Sequence, residues 1–108
     1  MSAHIARKRF GQNFLQDDNI IASIVHAINP SDDDCLIEIG PGLAAFTEPL
    51  LNNISHMHVV ELDRDLVARL QQRFAPEQLT IHSIDALKFD FLSIPAEGKT
   101  RKVVGNLP

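Results

Sequence analysis

The stretch that constrains this chain most is Ile37-Glu38-Ile39-Gly40-Pro41-Gly42-Leu43. Cys35, Leu36, Ile37 and Ile39 form an apolar run suited to a buried strand, and the run stops at two glycines one residue apart. Without a Cβ, Gly40 and Gly42 let the backbone turn tightly and let a ligand lie against the main chain. A helical pattern comes next. Strand, Gly-x-Gly turn and helix form the nucleotide-cradling corner of an open parallel sheet. A Gly-Pro-Gly is also an ordinary turn, so the weight rests on the downstream residues and their spacing from it.

Upstream of the corner, residues 1–16 carry no strong period. Arg7-Lys8-Arg9-Phe10-Gly11-Gln12-Asn13-Phe14-Leu15 reads either as a tail with two docked phenylalanines or as a loop that folds over a ligand. Asp17 or Asp18 then supplies the N-cap of a helix running to about Ile28, with Ile20, Ile24 and Ile28 on one stripe. Asn29-Pro30 stops it. Ser31-Asp32-Asp33-Asp34 reads as a solvated turn, because consecutive side chains do not converge on a cation.

Beyond the corner, Thr47 reads as the N-cap of a helix with Pro49 in its first turn, through Leu50 and Leu51. His58-Val59-Val60-Glu61-Leu62 reads as a second strand. Asp63 caps a helix with Leu66, Val67, Leu70 and Phe74 on one face, closed by Pro76. Residues 79–84 alternate as a third strand ending at Asp85. After a poorly periodic segment with Phe89, Phe91 and Leu92, Lys102-Val103-Val104-Gly105 forms a fourth strand before Asn106-Leu107-Pro108. Strands alternating with helices give right-handed βαβ units, hence an α/β fold with a parallel sheet and no internal domain boundary. Four strands and an abrupt stop look like an unfinished sheet, so a fragment of a longer protein is expected.

Composition narrows the class further. With 44% hydrophobic and 22% charged residues in 108, the chain can build one core. No apolar run approaches the roughly 20 residues of a membrane span, and the basic N-terminus lacks the apolar centre of a secretory signal. Cys35, the single cysteine, reads as core in a reducing, cytoplasmic setting. A net charge of −4 excludes a uniformly basic nucleic-acid binder. Two local clusters, Arg7-Lys8-Arg9 and Lys99, Arg101 and Lys102, read either as phosphate contacts or as a solvated terminus and loop.

Ligands of parallel sheets bind beyond the carboxyl ends of the strands. Those ends carry Glu38 to Gly42, Glu61, Asp85 and Asn106. Glu61 follows Gly42 by nineteen residues, near the spacing of an acid that accepts both hydroxyl protons of a ribose. Asp85 reads as an acceptor for an adenine amine or as the cap of a short helix. Glu38, inside the first strand, needs a partner if buried, and loop backbone amides are the expected ones. An Asn106 side-chain oxygen and a backbone carbonyl beyond it can accept both protons of one exocyclic amine and leave its lone pair free for attack. The histidines give no ligand spacing: His56 and His58 read as alternating across strand two, with only His58 and His82 sharing a face. No metal is expected.

Together the residues resemble a known family. Arg9-Phe10-Gly11-Gln12-Asn13-Phe14-Leu15, Glu38-Ile39-Gly40-Pro41-Gly42-Leu43, Val60-Glu61-Leu62-Asp63, Asp85-Ala86 and Gly105-Asn106-Leu107-Pro108 stand in the order of the ribosomal RNA adenine dimethyltransferases of the bacterial KsgA/RsmA type. The erythromycin-resistance methylases share the plan. The resemblance covers nearly the whole chain. It implies a Rossmann-like methyltransferase fold, S-adenosylmethionine as methyl donor, and two adjacent adenines near the 3′ end of small-subunit (16S) rRNA as target. It also implies that the partner is the rRNA or the immature small ribosomal subunit, and that the intact protein is a monomer.

By the same resemblance, Asn13 and Leu15 meet the methionine end of the cofactor and Gly40 lines that pocket, with Gly42 beside it. Glu61 holds the ribose and Asp85 the adenine amine. Asn106, with Leu107 and Pro108, faces the methyl and the target amine. Residues 1–16 become a cofactor cover and 17–108 the βαβ part of a catalytic domain. Ala44 stands where many methyltransferases have a third glycine, with little effect expected from so small a side chain. The family's base-stacking aromatic and C-terminal helical domain are not in the sequence, so the chain alone is expected to be inactive. Two other readings fit fewer of these residues: an NAD-dependent oxidoreductase on Gly40, Gly42 and Glu61, and a non-catalytic RNA-binding assembly module on the basic clusters.

Overall fold

A computed structural model describes residues 17–105. Asn13, Leu15, Arg7, Lys8, Arg9, Asn106, Leu107 and Pro108 lie outside the described residues, so the expectations placed on them are not addressed by it.

Helix α1 (Asp18–Ile28) starts where its cap chemistry says it should. Asp17 Oδ1 accepts the N–H groups of Asn19 and Ile20, at 3.0 and 3.2 Å. The helix stops at Asn29, which adopts the left-handed conformation (φ 51°) and donates its N–H to the Val25 carbonyl. Ile21 and Val25 are its buried face.

Strand β1 (Asp34–Ile39) leads through the glycine corner to a five-residue helix, α2 (Thr47–Leu51). Strand β2 (Met57–Val60), helix α3 (Arg64–Arg73) and strand β3 (Leu79–His82) follow. A 3-10 turn (Phe91–Ser93) and strand β4 (Thr100–Gly105) complete the described chain. The four strands form one parallel sheet in the order β3-β2-β1-β4. The first strand is therefore central, and the direction of the strand order changes beside it. That is where an open α/β sheet leaves a crevice.

Two strands are shorter than their patterns. The β2–β3 ladder ends at Val60 opposite His82, although the Glu61 N–H still donates to the His82 carbonyl at 3.0 Å. The chain then turns, with the Ile84 N–H also returning to His82. Glu61 and Asp85 thus stand just past the strands. Thr47 is not the N-cap of α2. Phe46 holds that position without a side-chain cap, and the Thr47 hydroxyl is used elsewhere.

Side chains of a strand alternate between faces. Leu36, Met57, Val59, Leu79, Ile81 and Val104 meet Ile21, Val25, Phe46, Leu50, Ile54 and Leu70 in the main core beneath the helices. Cys35, Ile37 and Val60 face the other way, against Ile94 with Phe89 and Phe91. Both Leu36 and Ile37 have no exposure, which explains why β1 reads as an unbroken apolar run.

Asp32 and Asp33 of the aspartate turn are exposed, as are Lys99 and Arg101 of the basic cluster, but Asp34 is buried and several of these side chains are tied into the fold. Asp34 pairs with Thr100, so both lie at the amino-terminal end of the sheet, away from the glycine corner. Lys102 Nζ donates to the last carbonyls of α1, Ile28 and Asn29 (both 3.2 Å), and to Asp34 Oδ2 at 3.0 Å. Asp34 itself is buried. Arg101 donates to the Ile94 carbonyl at 2.7 Å. Asp32 accepts from the Ser55 N–H and hydroxyl. Two of the three basic residues are thus committed to the fold, because β4 needs ties to the layers on both its faces.

Candidate functional site

The site is built on the turn after β1. Gly40 and Gly42 have φ of 66° and 58°, a region that side chains disfavour. The Gly40 N–H donates to the Val60 carbonyl at 2.9 Å, which fixes the corner to β2. Among the described residues, a Cβ at either glycine would meet no atom within 4 Å, so none of them fills the space in front of the turn. Ala44 is the surprise. Its φ is 72° and it is 2% exposed. The position demands a left-handed backbone as well as a small side chain, which the expectation based on size alone does not include. Arg73 braces the turn from outside by donating to the Leu43 carbonyl (3.1 Å) and pairing with Glu48.

Glu61 comes directly onto this corner. It is 9% exposed. One carboxylate oxygen accepts the Gly42 N–H at 3.4 Å and the other accepts the Asp63 N–H at 3.0 Å. Asp63 in turn caps α3, accepting the Asp65 and Leu66 N–H groups. The carboxylate is oriented before any ligand arrives. Asp85 is half-buried on the next strand end. Its Oδ1 accepts the Leu87 N–H at 2.9 Å and its carbonyl accepts the Lys88 N–H, so the capping reading of this residue is realised as a turn. Gly105 pairs with Ile39, so β4 ends at the same rim as Gly40. The structure brings Gly40, Gly42, Glu61 and Asp85 to one edge of the sheet, in the order of its strands.

Among the described residues the partner of Glu38 is a hydroxyl and not an amide of the glycine loop; the N-terminal loop also expected to serve it lies outside them. Glu38 is 2% exposed and accepts the Thr47 hydroxyl at 2.5 Å, tying β1 to α2 beneath the corner. Burial raises its pKa to about 7; the Thr47 hydrogen bond opposes the shift and the Glu61 carboxylate adds to it. Sequence reasoning misses this role of Thr47 because its partner sits in another element, and nothing in the local sequence announces the contact. It also misses Leu43 and Leu62. They are 70% and 63% exposed beside the corner and Glu61. Large apolar residues directly beside a polar motif, Leu43 after Gly42 and Leu62 after Glu61, are the signal that could have found them.

His56 and His58 do not alternate. They are two residues apart, share a face, and their ring centroids lie 5.1 Å apart. Among the described residues no group of three or more His, Cys, Asp or Glu side chains is arranged to hold a metal ion. No helix among them is long and apolar enough to cross a membrane.

Comparison with known proteins identifies the family and the fold. The model of the ribosomal RNA adenine dimethylase family matches residues 3–108. Proteins named ribosomal RNA small subunit methyltransferase A are similar over the full chain, with 56% identity in Dechloromonas aromatica and 59% in Aromatoleum aromaticum. The chain spans about two fifths of their length, 41% and 40%. Among solved structures, the 23S rRNA methyltransferase ErmE superposes with a TM-score of 0.71 over 86% of this chain and 36% of its own, at 22% identity. A dimethyladenosine transferase from Plasmodium falciparum gives 0.69 over 85% and 32%, at 24%. These two likenesses establish the fold. The oxidoreductase reading finds no support. With a family model covering nearly every residue and relatives this similar, the chain belongs to the ribosomal RNA adenine dimethylase family.

Proposed function

We propose that this chain supplies the cofactor-binding part of an enzyme that transfers methyl groups from S-adenosylmethionine to adenine amines of small-subunit rRNA. The observation that carries the reading is Glu61, held by the Gly42 and Asp63 amides at the rim of the glycine corner. A preset carboxylate there suits the two hydroxyls of a ribose, because both of its oxygens keep lone pairs for further donors. Asp85 suits the adenine amine, and exposed Leu62 offers an apolar surface to the ring. The bound cofactor would supply an electrophilic methyl on a sulfonium. The residues of this chain bind and orient it.

Under this reading residues 1–16 cover the cofactor, with Asn13 and Leu15 at its methionine end, and 17–108 form the βαβ part of the catalytic domain. Asn106 accepts a hydrogen bond from the target amine, assisted by the backbone at Leu107 and Pro108, which orients its lone pair. The target is two adjacent adenines near the 3′ end of the 16S rRNA in the immature small subunit, and the setting is cytoplasmic. The RNA-binding-module reading loses ground, since Arg101 and Lys102 donate into the fold.

Titration calorimetry with S-adenosylhomocysteine tests the reading. Binding is expected, and Glu61→Ala is expected to weaken it by about 1–3 kcal/mol, the scale of hydrogen bonds to a charged group. A thermal shift with NAD and none with S-adenosylhomocysteine would overturn the assignment.

A further inference from the structure

One cluster has no part in binding the cofactor directly, the imidazoles on the sheet face opposite the helices. His58 Nδ1 and His82 Nε2 are 3.1 Å apart across the β2–β3 pair. Their ring centroids are 5.3 Å apart and their planes differ by 19°. Two ring radii added to the nitrogen separation nearly reproduce the centroid distance. The nitrogens therefore lie on the line between the rings. The contact is an edge-on N–H···N hydrogen bond and not a π-stack. Such a bond holds one hydrogen; a hydrogen on both facing nitrogens sets two donors head-on.

His82 is also the junction of the rim. Its carbonyl accepts the N–H of Glu61 at 3.0 Å and of Ile84 at 3.1 Å. The first carries one rim acid and the second immediately precedes the other, Asp85. The His82 ring is held between His58 and Phe89, whose centroid lies 4.8 Å away. We propose that the His58–His82 pair is a proton-sensitive positioning element for the cofactor rim. With one hydrogen between the facing nitrogens the junction is fixed; a second proton drives the rings apart and loosens the backbone that carries Glu61 and Asp85. The roles of those two acids rest on the function proposed above.

The surroundings favour this behaviour. Just before β2, His56 Nδ1 lies 2.9 Å from the Glu77 carbonyl and its Nε2 lies 2.8 Å from the Thr80 hydroxyl of β3. Asp34 and Cys35 of β1, with Glu97 and Lys99 of the loop before β4, line the cleft shared by His56 and His58. Asp34 is already paired with Lys102. Phe89 and Ile94 present apolar atoms. Among the described residues no carboxylate forms an ion pair with His58 or His82. Burial, followed by the nearby His56 and His82, pushes the His58 pKa down to about 4, and burial lowers that of His82. Both imidazoles are therefore neutral at neutral pH. Because the folded pKa is lowered, the stabilisation is present above the unfolded value near 6.5 and is lost as pH falls towards about 4.

The test is amide hydrogen exchange of the 108-residue chain without ligand, wild type against the double variant His58→Asn, His82→Gln. The Asn amide replaces Nδ1 and the Gln amide replaces Nε2, which keeps a hydrogen bond but removes the titrating proton. In the wild type, protection factors at the Glu61 and Ile84 amides are expected to fall at least about tenfold between about pH 7 and about pH 5. In the variant the fall is expected to stay below about threefold. Equal losses in both proteins would overturn the proposal. If the double variant does not fold, His58→Asn alone, which removes the more strongly shifted imidazole, is expected to shrink the fall relative to wild type, and an unchanged fall would overturn the proposal. S-adenosylhomocysteine affinity, measured in parallel, is expected to follow the same pattern. If exchange behaves as expected and the wild type fails to bind S-adenosylhomocysteine, the proton-sensitive junction stands and the cofactor reading falls.

Discussion

Ala44 and Glu38 show how single residues near the corner are constrained by backbone and burial together. The left-handed backbone at Ala44 costs an L-residue about 1–2 kcal/mol, while its buried methyl contributes on the order of 1 kcal/mol. Ala44→Gly removes both and adds unfolded-state entropy, so it is expected to change stability by less than about 1 kcal/mol. Ala44→Val crowds a β-branched side chain into the same φ and is expected to lose about 2–3 kcal/mol in urea denaturation. Glu38 carries a pH signature. Its folded pKa of about 7 exceeds the unfolded value of 4.5, so its stabilisation is full below 4.5 and lost as pH rises through about 7. Glu38→Gln should remove that decline, and urea midpoints measured across this range check it. Capping and turn residues such as Asp17, Asp63, Gly40 and Gly42 are legible in the sequence because their chemistry is local. The Glu38–Thr47 contact is not, since it joins two elements and depends on how the corner folds.

At the scale of elements, Lys102 ties three pieces together: the end of α1, the start of β1 and strand β4. Removing one partner of a buried ion pair leaves the other charge stranded. Lys102→Met is therefore expected to destabilise by about 2 kcal/mol, less than for a fully buried pair because the Lys102 side chain is 32% exposed. Pairing it with Asp34→Asn should recover part of the loss, and a double-mutant cycle by denaturation measures the coupling. Nothing in the residue pattern hints at this tie, because a lysine followed by two valines reads equally well as a solvated strand start. The strand and helix types are legible from apolar runs and caps. Their ends are not. β2 and β3 stop earlier than their patterns because the chain turns at His82 to set Glu61 and Asp85 at the rim.

For the whole molecule, the two titrating sites pull in opposite directions. Between about pH 4.5 and 6.5 the protonation of His58 lowers stability towards acid while the ionisation of Glu38 lowers it towards base. Wild-type stability is expected to be nearly level there. Glu38→Gln should expose a rise with pH and His58→Asn a fall, which thermal denaturation across the range distinguishes. Strand order also bears on how the chain is made. The central strand, β1, acquires its second neighbour from residues 100–105, the last of the four strands to leave the ribosome. Until then a growing polypeptide presents that apolar ribbon with one side of its backbone unpaired. Synthesis halted before Thr100 should yield a species more prone to chaperone capture than one in which β4 has docked beside β1.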